Sequence, residues 1–145
     1  MKDIALYGHL TIDTIVDGDV EKKTLGSMAN VWKALLEIDP TLDIGLSPID
    51  VGQALIYVDK PAAKRYSKVN LSLVQHQVKM MSSKISHLIY LNELTRHDFI
   101  PALDSIVTAD ICPGKPVNME MLQYVDYLFI SDEDINDSLS EYTNF

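Results

Sequence analysis

The first thirty residues constrain the fold more than any other part of the chain. An apolar run, Ile4-Ala5-Leu6-Tyr7, stops at Gly8, and Asp13 follows five residues later. A continuous apolar run of strand length, without alternation, suits a strand buried on both faces of a parallel sheet. Thr11 to Asp17 then alternates up to Asp17-Gly18, a hairpin-turn dipeptide, and Val20 to Leu25 provides the returning strand. This arm carries little apolar surface, so it is expected to stand away from the main core as a flap. Gly26 opens a helix with Ser27 as its expected N-cap, and Val31, Ala34, Leu35 and Ile38 recur at helical spacing. Strand, arm and glycine turn converge, and a small-molecule pocket is expected where they meet.

Asp39-Pro40 ends that helix, because the residue before a proline is pushed out of the helical region. Leu42 to Leu46 reads as the next strand, which completes a β-α-β unit with a right-handed crossover. Ala54 to Val58 and Arg65 to Val69 read as two strands joined by Asp59-Lys60-Pro61, extending the flap. Helices are expected over 73–81, 98–106 and 117–124, and strands over 87–91, 107–112 and 127–130. A last helix is expected from Ser131, with Asp132, Glu133 and Asp134 in its first turn, where acids complement the helix dipole. Strands that alternate with helices in this way predict an α/β fold with a mostly parallel sheet, whose ligands bind beyond the carboxyl ends of the strands. Asp13, Gly26, Asp110 and Asp134 all fall at that edge.

Composition narrows the function. The 145 residues fit one domain, able to bury roughly 70% of its unfolded surface. A formal charge of -9, with Lys22-Lys23 and Lys64-Arg65 the only adjacent basic pairs, argues against a nucleic-acid surface, which needs clustered cations. No window approaches about eighteen apolar residues and the start Met-Lys-Asp is quickly polar, so no membrane partner is expected and the cytoplasm is the expected location. The single cysteine, Cys112, cannot form an internal disulfide and is expected to be buried and inert. His9 lies beside the expected pocket, whereas His76, His87 and His97 lack ligand spacing and read as ordinary core or surface residues. Asp13 could accept two hydrogen bonds from vicinal hydroxyls, and Asn30 could donate to and accept from one more.

With those residues in view, the chain resembles the ribokinase/PfkB family of carbohydrate and nucleoside kinases from Ile4 to about Asp137. Gly8-His9-Leu10-Thr11-Ile12-Asp13 resembles the family's opening strand, glycine and substrate-binding aspartate. Leu25-Gly26-Ser27-Met28-Ala29-Asn30 resembles its Gly-Gly-Ser-x-x-Asn signature, Asp110 with Pro113-Gly114 its Asp-containing loop, and Tyr127 to Asp134 the strand leading into its Asn-x-x-Glu motif. The resemblance implies a ribokinase-like three-layer α/β fold with a mostly parallel central sheet. It also implies a small β lid, here about 11–25 and 52–69, and residues 1–145 are expected to form a single truncated ribokinase-like domain that lacks the C-terminal half of the family fold. It implies sugar or nucleoside binding by Asp13, Gly26, Ser27 and Asn30, a metal-associated role for Asp134, and a homo-oligomer.

The departures are specific. Leu25 replaces the first glycine of the pair, Ser131 the asparagine and Asp134 the glutamate, and the stretch from Leu46 to Gly52 is short. No Gly-Ala-Gly-Asp segment is present, so no catalytic residue is assigned and no cofactor is expected for this chain alone. ATP and magnesium enter only if a complete kinase is assembled. Two readings follow: a kinase-related chain that binds the acceptor, or a non-catalytic ribokinase-like binding or interaction module.

Overall fold

The computed structural model describes residues 1–59, 64–73, 78–112 and 115–130. Two long strands form its spine: β1 (Lys2–Asp17) and β3 (Ile44–Asp59), each of 16 residues, run parallel from Ile4↔Ile44 to Val16↔Tyr57. The sequence pattern divides each into two shorter strands, but in the structure the chain stays extended through both breaks. Between Leu46 and Gly52 there is no length for a helix, so β3 passes directly from core to lid. Its parity is corrected by a bulge at Gly8/His9, where Gly8 pairs with Pro48, His9 pairs with Asp50 and Ile49 is left over.

The lower half of β1 is flanked by β3 and by β5 (Ser83–Leu88), and the sheet continues in parallel through β6 (Ile106–Asp110) to β7 (Tyr127–Phe129). The upper half of β1 pairs antiparallel with β2 (Val20–Leu25), and β3 pairs antiparallel with β4 (Lys64–Leu73). The strand order is β4-β3-β1-β5-β6-β7, with β2 attached to β1. Core sheet and lid are thus one mixed, mostly parallel sheet. Gly18, at φ 59, forms the expected turn between β1 and β2, in the left-handed region that glycine adopts without strain.

Both faces of the central strand are covered, as its unbroken apolar run requires. Ala5 and Tyr7 pack on one face with Leu88, Leu91, Phe99 and Ile100, where the Tyr7 and Phe99 rings stack at 5.3 Å. Leu6 packs on the other face with Met28 and Ile89, under Val31 and Leu35 of helix α1 (Ser27–Ile38). The inward stripe of α1 therefore runs through Met28, Val31 and Leu35, while Ala34 and Ile38 are exposed, Ile38 at 81%.

Several expected elements differ. Gly26, not Ser27, is the N-cap of α1, and Ser27 is its first helical residue. The helix expected over 98–106 is a single 3-10 turn, Ile100–Ala102, followed by extended chain into β6. Pro101 lies inside this turn and removes a backbone donor there, and Leu103 after it is already extended. Of the helix expected over 73–81, Leu73 belongs to β4, 78–81 is not helical, and 74–77 lie outside the described residues. The strand expected at 87–91 is shifted back to Ser83–Leu88, and a 3-10 turn, Leu91–Glu93, follows it. Helix α2 contracts to Met119–Leu122, capped by Asn118, whose side chain accepts the Glu120 N–H. Pro113-Gly114, His76 and everything from Ser131 on, including Asp134, lie outside the described residues. No helix among the described residues is long and apolar enough to cross a membrane.

Candidate functional site

Where β1 and β3 leave the core and enter the lid, they enclose a cavity of about 170 Å³ beyond the carboxyl ends of the parallel strands. Strand periodicity supplies one wall, because His9, Thr11 and Asp13 alternate onto the same side of β1. Ala54 and Ile56 of β3 and Val69 of β4 add an apolar wall, and Ser27 closes the site from the start of α1. Ile89, Tyr90 and Glu93 come from the chain after β5, and Cys112 from the chain after β6.

Asp13 is anchored from its own strand. Thr11 Oγ1 donates to Asp13 Oδ1 at 2.7 Å, and the two residues flank the place where α1 begins. Gly26 makes that closeness possible: a Cβ there would collide with Thr11 Oγ1 and lie 3.1 Å from Asp13 Oδ1. The Gly26 N–H in turn donates to Thr11 O at 2.9 Å. Gly8 serves packing of another kind. A Cβ at Gly8 would lie 2.9 Å from Ile89 Cβ, and Ile89 N–H donates to Tyr7 O at 2.8 Å, so the glycine admits the chain that leaves β5.

Tyr90 links the two halves of the site. Its backbone is left-handed, φ 53 and ψ 62, a strained conformation for a bulky residue. Two contacts hold it there: its N–H donates to Asp110 Oδ1 at 2.6 Å, and its hydroxyl accepts from Ser27 Oγ at 3.1 Å. Burial raises the Tyr90 phenol above its ordinary 10.0 and the Asp110 carboxyl above 3.8, and it lowers the neighbouring His87 imidazole below 6.5. His87 Nε2 stands 3.9 Å from Asp110 Oδ1, and its Nδ1 is bonded to Thr108 Oγ1 at 2.8 Å. Asn92 clamps the loop after β6: its amide donates to the carbonyls of Cys112 and Lys115 and accepts the Cys112 N–H at 2.7 Å. Glu93 is paired with Lys115.

Of the residues expected from sequence, Asp13 and Ser27 line the cavity together and Gly26 fixes their approach. Asn30 does not line it. Asn30 is exposed and its amide donates to Leu25 O at 3.0 Å, which ties the end of β2 to the first turn of α1. Cys112, expected to be buried, is half-buried and borders the cavity. Tyr90, Glu93 and Cys112 were not legible as site residues, although each follows a parallel strand at its carboxyl end, where such folds place ligands. Among the described residues no group of three or more His, Cys, Asp or Glu gathers to hold a metal. What the arrangement offers is carboxylates, hydroxyls and an apolar wall, a set suited to fixing the orientation of a small polyhydroxylated molecule.

No protein-family model matches the sequence, and no curated protein matches it. Solved structures do. Ribokinase from Thermotoga maritima matches 99% of this chain with a TM-score of 0.63 at 20% identity. A nucleoside kinase from Methanocaldococcus jannaschii, an archaeal member of the ribokinase family, matches 100% with a TM-score of 0.57 at 15% identity. Ribokinase from Arabidopsis thaliana, solved with ribose and ATP, matches 89% with a TM-score of 0.52 at 13% identity. The chain spans 63%, 65% and 60% of the lengths of those three chains. Its fold is the ribokinase-like α/β fold over nearly the whole of its length.

Proposed function

We propose that this is a carbohydrate kinase-related, cytoplasmic protein that binds a sugar or nucleoside in the cavity between sheet and lid. One observation carries the reading: Asp13 lines a cavity at the carboxyl edge of the sheet, with Ser27 beside it and an apolar lid face above. In this reading a carboxylate anchored by Thr11 presents its remaining lone pairs to vicinal hydroxyls. Ser27 and Tyr90 add a hydroxyl pair whose orientation is already fixed, which lowers the cost of ordering the site on binding. Asn30 acts one step back, by holding the turn that positions Gly26 and Ser27.

Phosphoryl transfer requires a base, dipoles for the phosphate charge and a nucleotide held in line. The sequence contains no Gly-x-Gly-Asp segment to supply the first two. The proposal therefore gives this chain the acceptor-binding role, with ATP and magnesium belonging to a complete assembled kinase and Asp134 as the acid reserved for the metal. The alternative, a non-catalytic ribokinase-like module, shares the cavity and differs only in never meeting a nucleotide.

Thermal shift and calorimetric titration of the full chain with D-ribose, myo-inositol and adenosine test the reading. Saturable binding is expected for at least one, with stabilisation of about 2.7 kcal/mol at a hundred times its dissociation constant. Asp13→Ala should weaken it by roughly tenfold or more, the loss of a charge-assisted hydrogen bond. No binding by any of the three, or binding unaffected by Asp13→Ala, would overturn it. Steady ATP turnover by this chain alone would overturn the non-catalytic alternative.

A further inference from the structure

Among the described residues, Tyr90 is the one non-glycine residue with a positive φ. Its neighbours show what the turn does. Ile89 is buried with Leu6 and Met28 under α1, whereas Leu91 is buried with Tyr7 and Phe99 on the opposite face of the sheet, so the chain crosses between faces at Tyr90. A left-handed residue makes that reversal, and glycine or asparagine would make it with the least strain. A tyrosine is strained there, and such strain persists only where the surrounding structure holds it.

The restraint comes from the next strand. Asp110 ends β6, does not itself border the cavity, and accepts the Tyr90 N–H on Oδ1 at 2.6 Å. His87 flanks that oxygen from β5, but its Nε2 stands 3.9 Å away, beyond hydrogen-bond range, so the oxygen stays with Tyr90. A second tie runs the other way. Asn92, in the 3-10 turn that follows Tyr90, donates its amide to the carbonyls of Cys112 and Lys115 and accepts the Cys112 N–H. The segments after β5 and β6 are thereby cross-linked, and both border the cavity, one through Tyr90 and Glu93 and the other through Cys112. Tyr90 is fixed at both ends, its backbone by Asp110 and its hydroxyl by Ser27, which is itself a cavity residue.

We propose that Asp110 is a positioning residue of the cavity: by holding the Tyr90 backbone left-handed, it keeps Tyr90 and Ser27 on the cavity wall in the arrangement that binds the polyol. This rests on the reading of the cavity as a sugar or nucleoside site. Without the restraint the Tyr90 backbone relaxes toward unstrained conformations. The competent arrangement is then only a fraction of the population, and the apparent affinity falls by that fraction.

Calorimetric titration of the full chain with D-ribose, myo-inositol and adenosine tests the proposal in variants of these two residues. Asp110→Ala should weaken binding of whichever molecule the wild-type chain takes up by roughly fivefold or more. Asp110→Asn keeps an acceptor oxygen for the Tyr90 N–H and should stay within about threefold of wild type. Glycine enters the left-handed region without help, so in a Tyr90→Gly background Asp110→Ala should change the affinity by less than about twofold. Wild-type affinity in Asp110→Ala, equal losses in Asp110→Ala and Asp110→Asn, or the same loss with Tyr90→Gly as without it would each overturn the proposal and leave the polyol reading intact. Hydrogen exchange on the wild-type chain needs no variant: the Tyr90 amide should be protected, and exchange as fast as that of an exposed amide would overturn the proposal as well. If none of the three molecules binds, the polyol reading falls and this assignment falls with it.

Discussion

Replacing Gly26 with alanine should be costly for a reason visible only in three dimensions. The backbone at Gly26, φ -77 and ψ -171, is open to any residue, so strain is not the cause. The added Cβ would occupy the place of Thr11 Oγ1. Two escapes exist. Thr11 can rotate away and forfeit its 2.7 Å bond to Asp13, worth about 1.5–3 kcal/mol for a hydrogen bond to a charged group. Alternatively α1 can back off the lid, an overpacking cost of about 1–3 kcal/mol. Alanine is also a poorer N-cap than glycine. We expect a loss of about 1.5–3 kcal/mol, read from urea denaturation midpoints at unchanged slope, or about 2–4 °C in Tm per kcal/mol. Thr11→Ala removes the obstructing oxygen, so the double variant should be less destabilised than the sum of the single ones. Gly26→Ala within 0.5 kcal/mol of wild type, or strict additivity with Thr11→Ala, would refute the steric argument.

His87 sets a pH dependence of stability. Its folded pKa lies below 6.5 because burial disfavours the charged ring, with Asp110 opposing that shift, so the fold binds fewer protons there than the unfolded chain. The contribution is fully present above pH 6.5 and is lost as pH falls through the folded value. Urea midpoints should therefore decline on acidification from pH 6.5, less steeply in His87→Asn, and an unchanged slope in that variant would contradict this. Ser27→Ala and Tyr90→Phe should each cost about 0.5–1.5 kcal/mol with the double variant little worse than either, since both delete the same bond. Full additivity in the denaturation midpoints would show that the bond contributes nothing. Self-association is expected through exposed apolar surface, either Ile12 with its register partner Leu25 on the lid or Tyr127 and Phe129 at β7. Light scattering at micromolar concentration should report a dimer that Ile12→Lys or Phe129→Lys disrupts, and a monomeric wild-type chain would refute it.

The sequence determined what depends on neighbours along the chain. Ile4 to Tyr7 read as a strand covered on both faces, Asp17-Gly18 as a tight turn, and Gly26 to Ile38 carried the signals of a helix start and an apolar stripe. These are local patterns of period and backbone freedom, and they sufficed to indicate a mostly parallel α/β sheet with Asp13 at its edge, while its ribokinase-like type rested on the resemblance of residues 8–13 and 25–30 to that family's motifs. They overreached where a single residue broke the pattern: Pro101 cancelled a helix that Ile100, Leu103 and Ile106 otherwise outline.

Tertiary structure alone decided which residues meet. The pairing of β1 with β3 across a bulge fused core and lid strands, buried Asp50 beside His9, and turned the connection between Leu46 and Gly52 into part of the sheet. Thr95 meets Asp50 from 45 residues away, and Tyr90 meets Ser27 from 63. No periodicity encodes such separations, because they are set by strand order and register. Gly26 shows the division most clearly, since its place in a turn is written in its neighbours, whereas the reason it admits no side chain lies in Thr11, across the site.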